Sequence, residues 1–320
     1  MKEGDLVVRK SHDKDITFKI MNIKIDEDGN EICELKGVNI RIEADSPADD
    51  LELSDNEETG SADQVINRKI NESIRKVISE RQNNVNAQYD YAELARKKKP
   101  KEMKKNSKQQ KNTKNSHVAT EGDGVVNERE LYFGRPGKIL HVDGDPEYLE
   151  ICLKTYKELK LEAVGKIVKE SLQPKEILEL VKEHKPDIVV ITGHDGMVKG
   201  TRDYIDLDNY RNSRHFVDSV AILRNYEPNY DNLVIFAGAC QSCYEALLDA
   251  GANFASSPSR VLIHCLDPVM VCEKVAYTNF QSVVSIKDVI DNTITGIKGV
   301  GGLETRGKYR EGYPKSQYLK

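Results

Sequence analysis

Two apolar runs of this sequence each close on a side chain that can do chemistry. In VVITGHDG, residues 189–196, four β-favouring residues lead through a glycine to His194; in NLVIFAGACQS, residues 232–242, a similar run leads to Cys240. A thiol beside an imidazole is a nucleophile beside its base. The thiolate is the reactive form, and a neighbouring histidine lowers the thiol pKa and moves the proton. Cys240 also precedes the helical pattern QSCYEALLDAG, whose positive end would favour a thiolate. The small residues before Cys240 leave room for a substrate. Glycines flank the histidine at 193 and 196, and the N–H groups of Gly196 and Cys240 are the candidate oxyanion donors. Taken singly, a histidine at a strand end reads as a polar loop cap and a cysteine as packing. The chemistry requires that the two meet.

The elements around them make that meeting possible. From residue 135 onward strand patterns (KILHVD, EAVGKIV, DIVVITG, NLVIFAG and RVLIHCL) alternate with helical ones. Runs of β-branched residues without alternation fit strands buried on both faces, so the expectation is an open, mostly parallel α/β sheet flanked by helices. Sites in such sheets form outside the carboxyl ends of the strands. His194 and Cys240 therefore share one edge with Asp143 and Asp145 of HVDGDP, which end the first strand.

Composition divides the chain into three zones. Residues 1–45 alternate apolar and polar positions (DLVVRKS, ITFKIMNIKI, EICELKG, VNIRI) between short turns, which predicts a small antiparallel, SH3-like β-barrel. Residues 46–134 form a charged linker with one helical stretch, ADQVINRKINESIRKVISERQ. Its run of ten basic residues and one acid over 96–114 has too little apolar area to offset ordering. Residues 135–320 are the α/β domain. A net charge of −5 selects no partner class, and no 18-residue apolar run or signal-peptide core is present. The six scattered cysteines fit a reduced, cytoplasmic protein.

Other motifs fail their context tests. ILHVDGDPEYLEICLKTYKEL resembles the opening of a receiver domain, but Thr192 stands where the phosphoacceptor aspartate is needed. Cys240 and Cys243 form one C-x-x-C with no second pair, which argues against zinc or dithiol chemistry. GIKGVGGLETRG follows a helical pattern rather than a strand, so it does not read as a phosphate loop. A β-barrel beside a lysine run could serve nucleic-acid or protein binding without catalysis. The run lacks interleaved aromatics and lies near an acidic block, which disfavours nucleic acid.

VVITGHDG and NLVIFAGACQS resemble the two motifs of the caspase-like, clostripain-like cysteine peptidases. With GDLVVRKSHDKDITFKI at the start and GGLETRGKYREGYPKS at the end, the chain more closely resembles the sporulation-specific cysteine proteases of spore-forming bacteria. The resemblance implies a cysteine endopeptidase needing no metal or organic cofactor. It would cut spore coat and germination proteins after arginine, process itself, and act in the sporulating cell and then the spore coat. Cys240 would be the nucleophile and His194 the base. The pattern has glycine directly after histidine, whereas here Asp195 intervenes. Arginine selection needs a carboxylate pocket. Gly238 occupies the position where clostripain-like enzymes can carry an acid, so the candidates are Asp143 and Asp145, then Asp267. Asp145 also reads as the cap of the next helix. Self-cleavage is expected within residues 92–135.

Overall fold

Ile188–Thr192 reads IVVIT, and every one of its residues is buried. Such a strand is stable only inside a sheet covered on both faces. The computed structural model places it in the middle of one, and describes residues 1–55, 60–97, 132–198, 200–316 and 318, with backbone alone for 82–97.

The chain begins with an antiparallel sheet of β1 (Leu6–Arg9), β2 (Thr17–Ile25), β3 (Glu31–Gly37), β4 (Glu43–Pro47) and β5 (Leu51–Leu53), ordered β4-β3-β2-β1-β5. One face buries Val7, Phe18, Ile20, Cys33, Leu35 and Leu51. The alternating run VNIRI is not a strand. It forms the β3–β4 loop, where the backbone doubles back: Gly37 N–H donates to Ile42 O (2.8 Å) and Ile42 N–H to Ile40 O (2.8 Å). A Cβ at Gly37 would lie 2.2 Å from Ile40 O, so only glycine fits. Ile40 and Ile42 still pack on the sheet's core, which satisfies their hydrophobicity without extended pairing.

A long helix, α1 (Ser61–Lys97), follows. Its Ile66, Ile70, Ile74 and Val77, spaced four and three residues apart, pack on the core of the second sheet. The basic run expected over 96–114 lies, beyond Lys97, outside the described residues. The chain then forms β6 (Phe133–Arg135), β7 (Ile139–Asp143), α2 (Pro146–Glu158), β8 (Ala163–Ile167), α3 (Gln173–His184), β9 (Ile188–Thr192), α4 (Ser213–Tyr226), β10 (Val234–Ala237), α5 (Tyr244–Asp249), β11 (Phe254–Ser256), α6 (Asp267–Tyr277), α7 (Ile286–Asn292), β12 (Val300–Gly302) and β13 (Arg310–Gly312).

Six of these strands form one sheet ordered β12-β11-β10-β9-β7-β8. Strands β7 to β11 run parallel, and β12 pairs antiparallel with β11. One face packs on α2 and α6 through Tyr148, Tyr156, Val269 and Val275; the other on α3 and α4 through Ile177, Val181, Phe216 and Val220. The fold class is thus mixed α/β with a mostly parallel sheet, as the alternation predicts. RVLIHCL, expected as the fifth strand, is irregular; Phe254–Ser256 takes the slot beside β10. The polar backbone of 261–264 is spent elsewhere: Val261 O accepts from Gln241 N–H (3.1 Å), and His264 N–H donates to Asp267 (3.1 Å). The displaced segment wraps the Cys240 loop instead of extending the sheet.

The chain divides into two compact units, Met1–Val77 with Pro136–Arg310, and Ile78–Arg135 with Glu311–Lys320. The first contains both large sheets. In the second, β6 pairs with β13. No helix of the described residues is long and apolar enough to cross a membrane.

Phe236 is fully buried at the centre of the parallel sheet. Phe236→Ala is expected to lower the unfolding free energy by about 3–5 kcal/mol. Urea unfolding followed by circular dichroism checks this, and a loss under about 1 kcal/mol would contradict the packing described.

Candidate active site

The strand order itself makes a crevice. From β7 the chain steps outward to β8, then returns to the other side of β7 for β9, so the loops after β7 and β9 part in opposite directions. The register defines what flanks that opening. Ala237 of β10 stands opposite Ile191 of β9, and Cys240 and His194 each lie three residues beyond that pair. Asp143 of β7 stands opposite Thr192 of β9, with Asp145 two residues further.

His194 is held from two sides. Its N–H donates to Glu170 Oε1 (2.7 Å), and its Nε2 lies 2.8 Å from Asp145 Oδ2. Glu170 also sets the loop's composition, because a Cβ at Gly144 or Gly193 would fall 2.2 Å from its Oε1. Asp145 caps α2, with Oδ1 accepting from the N–H groups of Glu147 (2.9 Å) and Tyr148 (3.2 Å). It also pairs with Lys36 at 2.7 Å. Burial pushes the Asp145 carboxyl up, but its bonds to His194 and Lys36 outweigh this and hold it well below the usual carboxylate range. An ionised carboxylate only accepts, so the proton of neutral His194 sits on Nε2 and the Nδ1 lone pair is left for other work. Asp145 was expected as a substrate acid or as a helix cap. The structure gives it the cap and the orientation of His194.

Cys240 sits at a tight corner. Gly238 before it has φ +102°, and a Cβ there would meet Ser256 Oγ at 2.4 Å. Its Sγ accepts from Ile263 N–H (3.3 Å) and donates to the carbonyl of Arg41 (3.1 Å). Burial raises the Cys240 thiol to about 11, so it rests protonated. The helix expected to lower its pKa begins only at Tyr244 and spans six residues.

Asp195, the residue that interrupts the His-Gly pattern, ties the two loops together. It accepts from Gly196 N–H (2.8 Å), Asn212 N–H (2.8 Å), Ser213 Oγ and Ser242 Oγ (2.8 Å). Ser242 Oγ in turn accepts from Ala239 N–H (2.9 Å), and Ser213 Oγ from Cys243 N–H (2.8 Å). The His194 loop, the start of α4 and the Cys240 loop thus share one carboxylate. This corrects the expectation for Gly196: its N–H is already committed to Asp195, leaving the Cys240 N–H as the candidate oxyanion donor.

Asp143 receives a guanidinium. Arg41 of the β3–β4 loop pairs with it in a bidentate fork (2.9 and 2.7 Å) and donates to Gly193 O (2.7 Å). Both side chains are essentially buried, at 2% and 0% exposure. The guanidinium also lies 4.6 Å from the Tyr148 ring centroid. Burial pushes Asp143 up, but the Arg41 charge and its two hydrogen bonds, with His141 Nε2 3.6 Å away, drive it well below the usual range. Asp267 makes a separate set of contacts. Its carboxylate accepts from the N–H groups of His264 (3.1 Å), Ile294 (2.7 Å) and Thr295 (3.1 Å) and from Thr295 Oγ1, which fixes the 264–267 turn to the 294–295 segment.

Sequence reasoning missed Arg41, Lys36 and Glu170. The one signal was a charged residue between two isoleucines in VNIRI, which alternation treats as an outward-facing strand position.

A thiol, an imidazole held by a carboxylate and a buried acid paired with a guanidinium thus stand along the carboxyl edge of one sheet. Comparison with known proteins gives the class. The chain belongs to the family described as YabG peptidase U57, whose model matches residues 2–314, so the protein is a peptidase. It is 39% identical over 311 residues to the "Sporulation-specific protease YabG" of Bacillus subtilis (strain 168), covering 97% of each chain. No solved structure matches.

Two outcomes check the site. While the intact β3–β4 loop covers Cys240, its alkylation, followed by peptide mass, is expected to rise about tenfold per pH unit toward pH 11, because only the thiolate reacts and burial delays its formation. A plateau below pH 8 would contradict the buried thiol. Asp145 titrates with the opposite sense. Its depressed carboxyl contributes stability that is present above its unfolded value and lost as pH falls through the folded one. Asp145→Asn should therefore flatten the acid limb of the stability curve below about pH 4; an unchanged limb would show that the carboxylate is not held as described.

Proposed function

We propose that the chain is a cysteine endopeptidase that cuts proteins after arginine. Cys240 as thiolate attacks the scissile carbonyl, and His194 takes the thiol proton on Nδ1 and returns it to the leaving amine. The Cys240 N–H donates to the oxyanion. Asp145 orients the imidazole, and Asp143 receives the substrate's guanidinium. The observation that carries this reading is a bidentate guanidinium on Asp143 at the same sheet edge as Cys240, with His194 backed by Asp145 beside them. A buried carboxylate matched to a planar fork discriminates arginine from lysine by geometry as well as charge.

The strand order β8-β7-β9-β10 and the positions of His194 and Cys240 support a caspase-like peptidase domain. The five-stranded antiparallel sheet supports an SH3-like reading of the amino-terminal module. The relative's name supports service in the sporulating cell, and we extend that to proteins of the spore coat and germination apparatus. Self-processing within residues 92–135 belongs to the same reading; positions 98–131 of that span lie outside the described residues.

The test is cleavage of an unrelated arginine-containing protein in reductant, with product termini read by mass. The native chain should cut after arginine. Cys240→Ala and His194→Ala should each lose about 10^4-fold or more, as expected for members of one catalytic unit. Undiminished cutting by a folded Cys240→Ala chain would remove the cysteine mechanism.

A further inference from the structure

The Arg41 carbonyl oxygen lies 3.1 Å from Cys240 Sγ, and the same residue's guanidinium fills the Asp143 pocket. A residue whose side chain occupies the acid pocket while its own carbonyl meets the thiol stands as the residue before a scissile bond would. Resting on the function proposed above, we infer that the β3–β4 loop is an internal substrate, and that Arg41–Ile42 is a peptide bond the enzyme cuts in its own chain.

Five further contacts register the loop on the site. Tyr148 Oη lies 2.6 Å from Gly37 O and 3.0 Å from Ile40 O, sharing its one hydrogen between them and fixing the backbone on the amino side of Arg41. Lys36 pairs with Asp145 and Glu147 at 2.7 and 2.8 Å, ahead of the loop. On the far side, Glu43 Oε1 lies 3.9 Å from His194 Nδ1. Glu43 directly follows Ile42, so the imidazole nitrogen not engaged by Asp145 faces the side from which the amine must depart. A surface hairpin packed only for stability would not need to aim an arginine carbonyl at the one thiol that ends β10.

The balanced step follows from those positions. The Cys240 proton passes to His194 Nδ1, and the thiolate adds to the Arg41 carbonyl carbon. As the C–N bond breaks, its electron pair leaves on the Ile42 nitrogen, which takes the proton from His194. This gives an Arg41–Cys240 thioester and a free Ile42 amine. Water then adds to the thioester, the S–C bond breaks, and Arg41 carries a new carboxylate while Cys240 regains its proton. The first 41 residues remain paired through β3 and β4, whose ladder runs from Ile32↔Pro47 to Lys36↔Glu43, so the cut opens the pocket without by itself releasing the sheet. This bond lies apart from the 92–135 span and is predicted independently of any cleavage there.

The experiment compares the native chain, Cys240→Ala and Arg41→Ala in reductant. Intact mass is read under denaturing conditions, together with cleavage of an added arginine peptide, and circular dichroism confirms that each chain is folded. The inference expects a native fragment beginning at Ile42, absent from Cys240→Ala, with cleavage at this bond lost in Arg41→Ala. If the native chain cuts the peptide while Arg41–Ile42 stays whole, the inference falls and the protease reading stands. The same holds if only Arg41→Ala cuts the peptide, for the loop would then be an uncut plug. If a fragment beginning at Ile42 forms equally from Cys240→Ala, the cut is not made by this site and the inference falls. If no chain cuts anything, both readings fall together.

Discussion

The buried ion pair between Arg41 and Asp143 is the contact on which this site depends. It joins an antiparallel sheet from the chain's start to the end of the first parallel strand, and both groups are withdrawn from water. Such a pair is poor evidence of net stability, since desolvating two charges offsets most of their attraction. Its force is in what it forbids. Removing either partner strands the other charge, at about 3–5 kcal/mol, so the loop and the pocket keep one register. Asp143 has further support from Asp145 N–H (2.8 Å), and Arg41 from Gly193 O, so the pair is built into the turns that follow β7 and β9.

The rest of the site is organised by carboxylates rather than by the thiol. Asp145 links α2, Lys36 and His194; Asp195 links the His194 loop, α4 and the Cys240 loop; Glu170 fixes the His194 backbone. Each acid accepts several donors, which is how a loop edge gains the rigidity of a strand. The thiol itself is protonated, its hydrogen donated to the Arg41 carbonyl, while Asp145 holds the imidazole by Nε2. Clearing the Arg41 loop would hydrate the thiol and return its pKa toward the ordinary range, because burial is the main cause of its rise.

Much of this was readable in the sequence, and the reasons differ by element. β7, β9 and β10 announced themselves as short apolar runs rich in β-branched residues, and α4 and α6 lie in the helical stretches that alternate with them. Because parallel strands share an edge, the placement of His194, Cys240 and the Asp143–Asp145 pair along one edge followed from topology. VNIRI and RVLIHCL were misread for one physical reason: alternation and apolarity also describe segments that bury side chains while spending their backbone on a neighbouring loop. Arg41 was invisible because its partner lies 102 residues away, and a lone arginine carries no local pattern. The separate roles of Asp143 and Asp145 were equally hidden, for HVDGDP does not say which acid faces the histidine.

The central claim is that Cys240 is the nucleophile of an arginine-accepting site. The most direct measurement is covalent capture by a peptidyl arginine chloromethyl ketone beside its alanine analogue, with the modified residue mapped by mass. The account predicts one equivalent on Cys240, formed much faster with the arginine reagent, with that preference lost in a folded Asp143→Asn chain. Equal rates for the two reagents, or an adduct on another cysteine, would contradict it.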